Sequence, residues 1–223
     1  GVSTDVPAAP TAYVYELQSA ATSKDCTSGG SNATIADPYP MPRVVITTGK
    51  YTINSSFIGY YAADPVDAWA TAGDPLYHGI ALVFANANDP GLVPGDLVSL
   101  EGKYLEYYCF TEIQATAVAK IGSATVPAVT AIDKTLLENG GTAALEPYEG
   151  LVVKITDVEI TDAVGGTKPF HMFKAGNGIY VADDFATGYT PVQGTKLSSI
   201  TGGLLFSFGK WVIAPRTAAD IAL

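Results

Sequence analysis

The chain has two histidines, His78 and His171, and two cysteines, Cys26 and Cys109. Metal-dependent hydrolysis needs carboxylates clustered with histidine, yet neither histidine stands in HxxH, HExxH or another ligand spacing. His78 precedes an apolar run at Gly79, and His171 follows Lys168-Pro169-Phe170. Both are expected to be surface or hydrogen-bonded histidines. There is no GxSxG elbow, SxxK pair or phosphate loop, and Gly29-Gly30 and Gly165-Gly166 read as loop hinges. A non-catalytic chain is therefore expected, with a degenerate metal-dependent hydrolase as the remaining enzymatic alternative.

Acidic turns offer a second chemistry. Asp183-Asp184, Asp64 with Asp67, and Asp157 with Asp162 place carboxylates where Ca²⁺ could sit, but none has EF-hand spacing. Solvated turn aspartates are the default. No cofactor is expected, and Asp183 and Asp184 stand as the calcium candidates.

Aromatic side chains offer a third. Tyr60, Tyr61, Tyr77, Tyr104, Tyr107 and Tyr108 form one set, and Phe206, Phe208 and Trp211 another. Single-strand-binding surfaces combine such rings with basic grooves, whereas Arg43 and Arg216 are the only arginines. Stacking without cations suits a neutral sugar better than DNA, and it also suits plain cross-strand packing. The cysteines lie outside any CxxC. In a secreted chain they read as one disulfide, Cys26 to Cys109, that pins an N-terminal loop to a later strand; two unpaired thiols are the alternative. A start at Gly1 fits a cleaved secretory product or a trimmed chain. Asn32-Ala33-Thr34 and Asn54-Ser55-Ser56 are glycosylation triplets.

The elements that must position these residues are mostly strands. Tyr13 to Tyr15, Val44 to Ile46, Ile80 to Phe84, Leu97 to Leu100 and Leu151 to Ile155 are β-branched, aliphatic or aromatic, and Gly, Pro, Asn or Asp bounds most of them. Only Ile132 to Asn139 reads as helical, opening near Asp133 and stopping at Asn139-Gly140-Gly141. The pattern also repeats: Gly79 matches Gly178, Gly95 matches Gly194, and Leu105 to Ile113 aligns with Leu205 to Ile213. A period near 100 residues suits two small domains rather than a solenoid.

The expected fold is all-β, with two tandem OB-like small antiparallel barrels and a short helix or turn in the connection. The divisions read as an N-terminal segment 1–43, a first domain 44–122, a connector 123–149 and a second domain 150–223. Pro94 to Gly102 followed by Glu106 to Ile113 resembles a bacterial extracellular OB-fold module. Glu146 to Val153 is similar to the start of the following unit in that family, and Ile200 to Gly202 with Pro215 to Ile221 to its ending. The module accompanies secreted nucleases and also occurs in surface lipoproteins without one, so the resemblance implies the fold more than a function. The family's hairpin glycine is Cys109 here and Gly209 in the second unit. A disulfide to Cys26 would fix a turn that a side chain otherwise tolerates badly.

Of the 223 residues 48% are hydrophobic and only 15% charged, with a formal charge of −10, where ordinary domains carry about 25% charged residues. That charge opposes non-specific nucleic-acid or anionic-membrane binding, and no apolar run reaches the roughly 18 residues of a membrane-spanning helix. Surfaces poor in charge and rich in aromatics resemble interface cores. The expected partners are other copies of the chain, and a glycan second. The N-terminal segment, through strand-like Ala12, Tyr13, Val14 and Tyr15, is expected to dock on its own domain or along a neighbour's sheet edge. The functional expectation is a secreted structural subunit of an extracellular fibre or surface layer. The alternative is a monomeric OB-fold module that binds polysaccharide or serves a secreted nuclease system.

Overall fold

Strands dominate because Gly-, Pro- and Asp-rich turns punctuate short runs of β-branched and aromatic residues. The computed structural model describes residues 12–20, 29–30, 35–69, 71, 73–164 and 172–223. The first sheet holds β1 (Gly29–Gly30), β2 (Tyr39–Ile46), β3 (Tyr51–Thr52), β4 (Phe57–Ala63), β5 (Gly79–Ala85), β6 (Asp96–Tyr107) and β7 (Phe110–Ser123). The second holds β8 (Thr130–Ala131), β9 (Val152–Asp162), β10 (Phe173–Ala175), β11 (Ile179–Val181), β12 (Lys196–Ser207), β13 (Lys210–Ala214) and β14 (Ile221–Ala222).

The first sheet closes on itself. β2 pairs with β4, β4 with β5, β5 in parallel with β7, β7 with β6, and β6 back with β2, making a five-stranded barrel. β6 alternates as a barrel wall should, with Val98, Leu100 and Tyr104 inward and Glu101 and Lys103 outward. The core joins Met41, Val44, Ile46, Tyr60, Leu82 and Ile113. In the second sheet β9 pairs with β10, β10 with β11, β11 in parallel with β13, and β12 with both β13 and β9. Its core gathers Val153, Ile155, Ile160, Phe173, Ile200 and Ile213. The parallel registers correspond: Leu82 faces Ile113 in the first sheet, and Val181 faces Ile213 in the second.

One expectation about local structure is corrected. Tyr13 to Tyr15 is not a strand but the start of α1 (Tyr13–Ala20), the one α-helix among the described residues. β-branched and aromatic residues disfavour a helix only weakly, and tertiary contacts override that preference. Val14, Leu17 and Gln18 form a buried helical face on the first barrel, and the Gln18 amide donates to the Gly79 carbonyl at 2.8 Å. Burying Val14 and Leu17 contributes about 1.5–3 kcal/mol each. The helix's N-terminal amides find a distant acceptor, the fully buried Asp64 carboxylate, at 3.0 Å from Val14 N and 2.9 Å from Tyr15 N. That contact satisfies donors a helix end leaves open and sets negative charge at its positive pole. The short helix expected in the connector is present as a 3₁₀ helix, spanning Lys134–Gly140 with a kink at Glu138 and Asn139. Its expected signals do operate, since the Asp133 side chain accepts from Thr135 N, and Asn139, Gly140 and Gly141 all adopt positive φ.

Candidate functional site

The two sheets meet along a seam that only glycine permits. A Cβ on Gly79 would lie 2.5 Å from the Gly150 carbonyl carbon, and one on Gly150 would lie 2.4 Å from Ile80 N. Gly150 also has φ of 74°, a region glycine enters without strain. Backbone bonds cross here, from Tyr77 N to Pro147 O at 2.7 Å and from Thr52 N to Asp184 O at 3.3 Å. An apolar cluster joins Tyr51, Tyr61 and Phe110 to Leu205, Val212 and Ala214. Glycine again makes room for the rings. A Cβ on Gly59 would strike Tyr51 Cζ at 2.2 Å, and one on Gly203 would strike Tyr61 Cε2 at 2.5 Å. The Tyr51 and Tyr61 rings stack at 5.3 Å, and Phe185 lies 5.3 Å from Tyr51.

Above this seam opens a cleft of about 920 Å³. Two equivalent hairpins reach its walls, because β6 runs into β7 as β12 runs into β13. Each turns through two residues at positive φ, Tyr108 (51°) and Cys109 (70°) in one, Phe208 (49°) and Gly209 (78°) in the other. That is the type I′ geometry matching strand twist. Cys109 thus takes the conformation its counterpart meets with glycine, and it is disulfide-bonded. Cys26 lies outside the described residues.

The aromatic residues singled out by sequence divide. Tyr107, Tyr108, Phe206 and Phe208 line the cleft, with Tyr107 and Tyr108 about half exposed and Phe208 73% exposed. Tyr60, Tyr61, Tyr104 and Trp211 are buried instead, so the cross-strand packing alternative describes them. Tyr77 packs edge-on against Tyr15 of α1. Sequence reasoning missed Tyr51, Phe57, Phe110 and Glu112, which also line the cleft. The signal available for Glu112 was an acidic residue within the strand-like run Leu105 to Ile113.

Two carboxyls face the cleft. Burial, reinforced by the Glu106 carboxylate, pushes Glu112 from its ordinary 4.5 up to about 7. Burial, reinforced by Asp183, lifts Asp184 from 3.8 to about 7. Burial raises the Tyr51 hydroxyl most, and the Glu112 and Asp184 carboxylates add to that rise; all three residues line the cleft. Behind them the buried Glu106 carboxylate accepts from the Tyr104 hydroxyl and, at 2.9 Å, from Thr111 Oγ1. Glu149 accepts from Thr111 N at 3.3 Å across the seam. Among the described residues lining the cleft there is no Lys, Arg or His. The arrangement offers ring faces, amides at Asn54 and Gln114, and carboxyls that exchange a proton near neutrality.

The remaining candidates lie elsewhere. His78 is buried, its Nδ1 2.9 Å from Asp64 Oδ2 and its ring stacked on Trp69 at 5.1 Å. His171 is outside the described residues. Asp67 pairs with Arg43 and Asp162 with Lys174. No group of three or more His, Cys, Asp or Glu that could hold a metal occurs among the described residues. Asn54 turns a tight loop by accepting from Ser56 N and Phe57 N, and Asn32 is not among the described residues. Comparisons of the chain with protein-family models, curated proteins and solved structures found no match.

Proposed function

We propose that the chain is a secreted, non-catalytic binding protein of two tandem OB-like barrels that holds a neutral polysaccharide in the cleft between them. The tandem reading is supported by the common pairing order of β2-β4-β5-β7-β6 and β9-β10-β11-β13-β12, each with one parallel pair at the same register. That order and the small strand count fit the OB architecture. The observation that carries the binding reading is the cleft itself, of a volume suited to small ligands. Its rings present flat apolar faces to the C–H side of a sugar, while Asn54, Gln114, Glu112 and Asp184 meet hydroxyls. A phosphate backbone would find no cation there and a net charge of −10 on the whole chain. A disulfide-bonded Cys109 suits an oxidising compartment.

The test is retention on immobilised neutral, acidic and basic polysaccharides and on single-stranded DNA. Wild type should be retained on a neutral glycan, and Tyr107→Ala with Tyr108→Ala should lose at least about tenfold in affinity, as removal of stacking contacts does. Retention by DNA alone, or glycan binding unchanged in the double variant, overturns the reading. A second reading, a self-assembling subunit of a fibre or surface layer, is favoured by the low charge density and the exposed hairpin tips. Its expected N-terminal contact is altered, because Val14 is already occupied within its own chain.

A further inference from the structure

We propose that the cleft carries a subsite for a quaternary ammonium group, held between aromatic faces and the Glu112 and Asp184 carboxylates. The inference goes beyond the glycan reading and stands without it. A sugar needs rings and hydroxyl partners, whereas this subsite turns on negative charge that no described residue of the cleft offsets.

Glu112 carries the argument. The strand register sets Leu105 of β6 on one side of it and Ala81 of β5 on the other, and neither side chain has a donor to offer. The carboxyl is 6% exposed, lines the cleft, and makes no hydrogen bond or ion pair with a described residue. Asp184, in the turn after β11, lines the same cleft, and its carboxylate likewise has no described donor. The charged groups around the two acids are mostly acids themselves. Burial first, and then Glu106 for one and Asp183 for the other, raise both carboxyls to about 7. Glu149 adds a further carboxylate at Thr111 N, burial keeps the Tyr51 hydroxyl neutral, and β5 contains no charged residue. Lys103, opposite Gln114 on β6, is exposed and outside the lining. Lys210, opposite Ser207 on β13, lies over the Tyr180 ring instead.

Burying acids without a counter-charge is costly, and groups perturbed in this way cluster at binding sites. The lining selects the cation. A calcium ion takes six or more oxygen ligands, and no three metal-binding residues gather among the described residues. A primary ammonium is strongly hydrated and brings three N–H donors, for which ring faces are poor acceptors. A quaternary ammonium has no donor to satisfy, and aromatic faces hold it by their negative quadrupole. Tyr51, Tyr107, Tyr108 and Phe110 supply such faces in the same cleft as the two acids. The charge of −10 on the chain draws a cation in and repels anions.

The experiment is calorimetric titration of the full chain with choline, beside the uncharged isostere in which carbon replaces the nitrogen. Choline should bind with a Kd of about 1 mM or tighter, and at least about tenfold more tightly than the isostere. Binding should weaken at least about fivefold from about pH 8.5 to about pH 5.5, and near neutrality it should release protons, because the cation favours the ionised carboxyls. Glu112→Gln, checked for folding by circular dichroism, should lose at least about tenfold in choline affinity. Equal affinity for choline and the isostere, an unchanged Kd in the folded variant, or no saturable heat at about 20 mM choline overturns the subsite. Glycan retention without choline binding removes this inference and leaves the glycan reading standing; choline binding without glycan retention does the reverse. Co-sedimentation with phosphatidylcholine vesicles, displaced by free choline, assigns the group to a lipid headgroup. Choline binding without co-sedimentation assigns it to a soluble molecule.

Discussion

Removing the cleft's buried carboxyl should make the protein more stable at alkaline pH and leave it nearly unchanged in acid. Glu112 is 6% exposed, and its carboxyl is raised from 4.5 to about 7 by burial and by Glu106. A folded value above the unfolded one means that folding favours the protonated form. The associated stability is complete below the unfolded value of 4.5, falls as pH rises toward about 7, and is absent above it. At 1.36 kcal/mol per unit the full penalty for carrying the charge is about 3 kcal/mol. Gln at this position keeps the shape and cannot ionise. Urea denaturation of wild type and Glu112→Gln should therefore show the variant gaining about 2–3 kcal/mol on wild type between about pH 5 and about pH 8.5. In a chain of this size that corresponds to roughly 4–12 °C in Tm. Comparing the two proteins at each pH cancels Asp89, whose carboxyl is lowered to about 2 by Lys50 and then Tyr60 and which acts in a more acidic window. A stability difference that does not change with pH refutes the reasoning, because it means that the Glu112 side chain matters only for packing.

Four further outcomes are expected. Tyr61→Phe should leave stability unchanged or raise it by about 1 kcal/mol in denaturant titration, because the Tyr61 hydroxyl is buried with no hydrogen-bond partner among the described residues; a loss above that size contradicts it. Gly203→Ala should destabilise by about 1–3 kcal/mol through overpacking, since the ring it meets is held by Tyr51 and Phe185. Asp64→Ala should lower stability by about 3 kcal/mol, removing the cap of α1 and the partner of a buried histidine together, and a loss under about 1 kcal/mol in the same titration counts against that cap. The low Asp89 carboxyl stabilises above its ordinary 3.8 and loses that contribution as pH falls toward about 2. Asp89→Asn should therefore flatten the acid limb of a stability–pH profile, and an unchanged limb counts against the Lys50 and Tyr60 contacts.

Local chemistry made the strands and turns legible. Leu105 to Ile113 and Leu205 to Ile213 share a pattern because both fold as hairpins through two positive-φ residues, and a side chain's cost at that turn marks Cys109 as unusual in any reading. The connector's start and stop were legible for the same reason, being written in residues within one turn of each end. What escaped was long-range. Tyr13, Val14 and Tyr15 favour a strand by themselves, and the acceptor that makes them a helix lies 50 residues away at Asp64. The cleft escaped as well. Its walls come from turns and strands of both sheets, and the glycines that let Tyr51 and Tyr61 lie flat resemble ordinary strand glycines until the seam is assembled. Tyr60 and Tyr61 are adjacent in sequence yet serve different cores, one inside the first barrel and the other at the seam.

The capped helix bears on the order in which the chain folds. Eight residues of α1 are too few to hold a helix in water. Its cap, Asp64, and its anchor, the Gly79 carbonyl, come together only when β4 and β5 pair at Ala63 and Gly79. A ribosome therefore releases α1 well before the groups that can shape it exist. The segment can become a helix only after β4 and β5 have paired. Helical signal from α1 in a refolding experiment would then report that the β4–β5 pair has already formed.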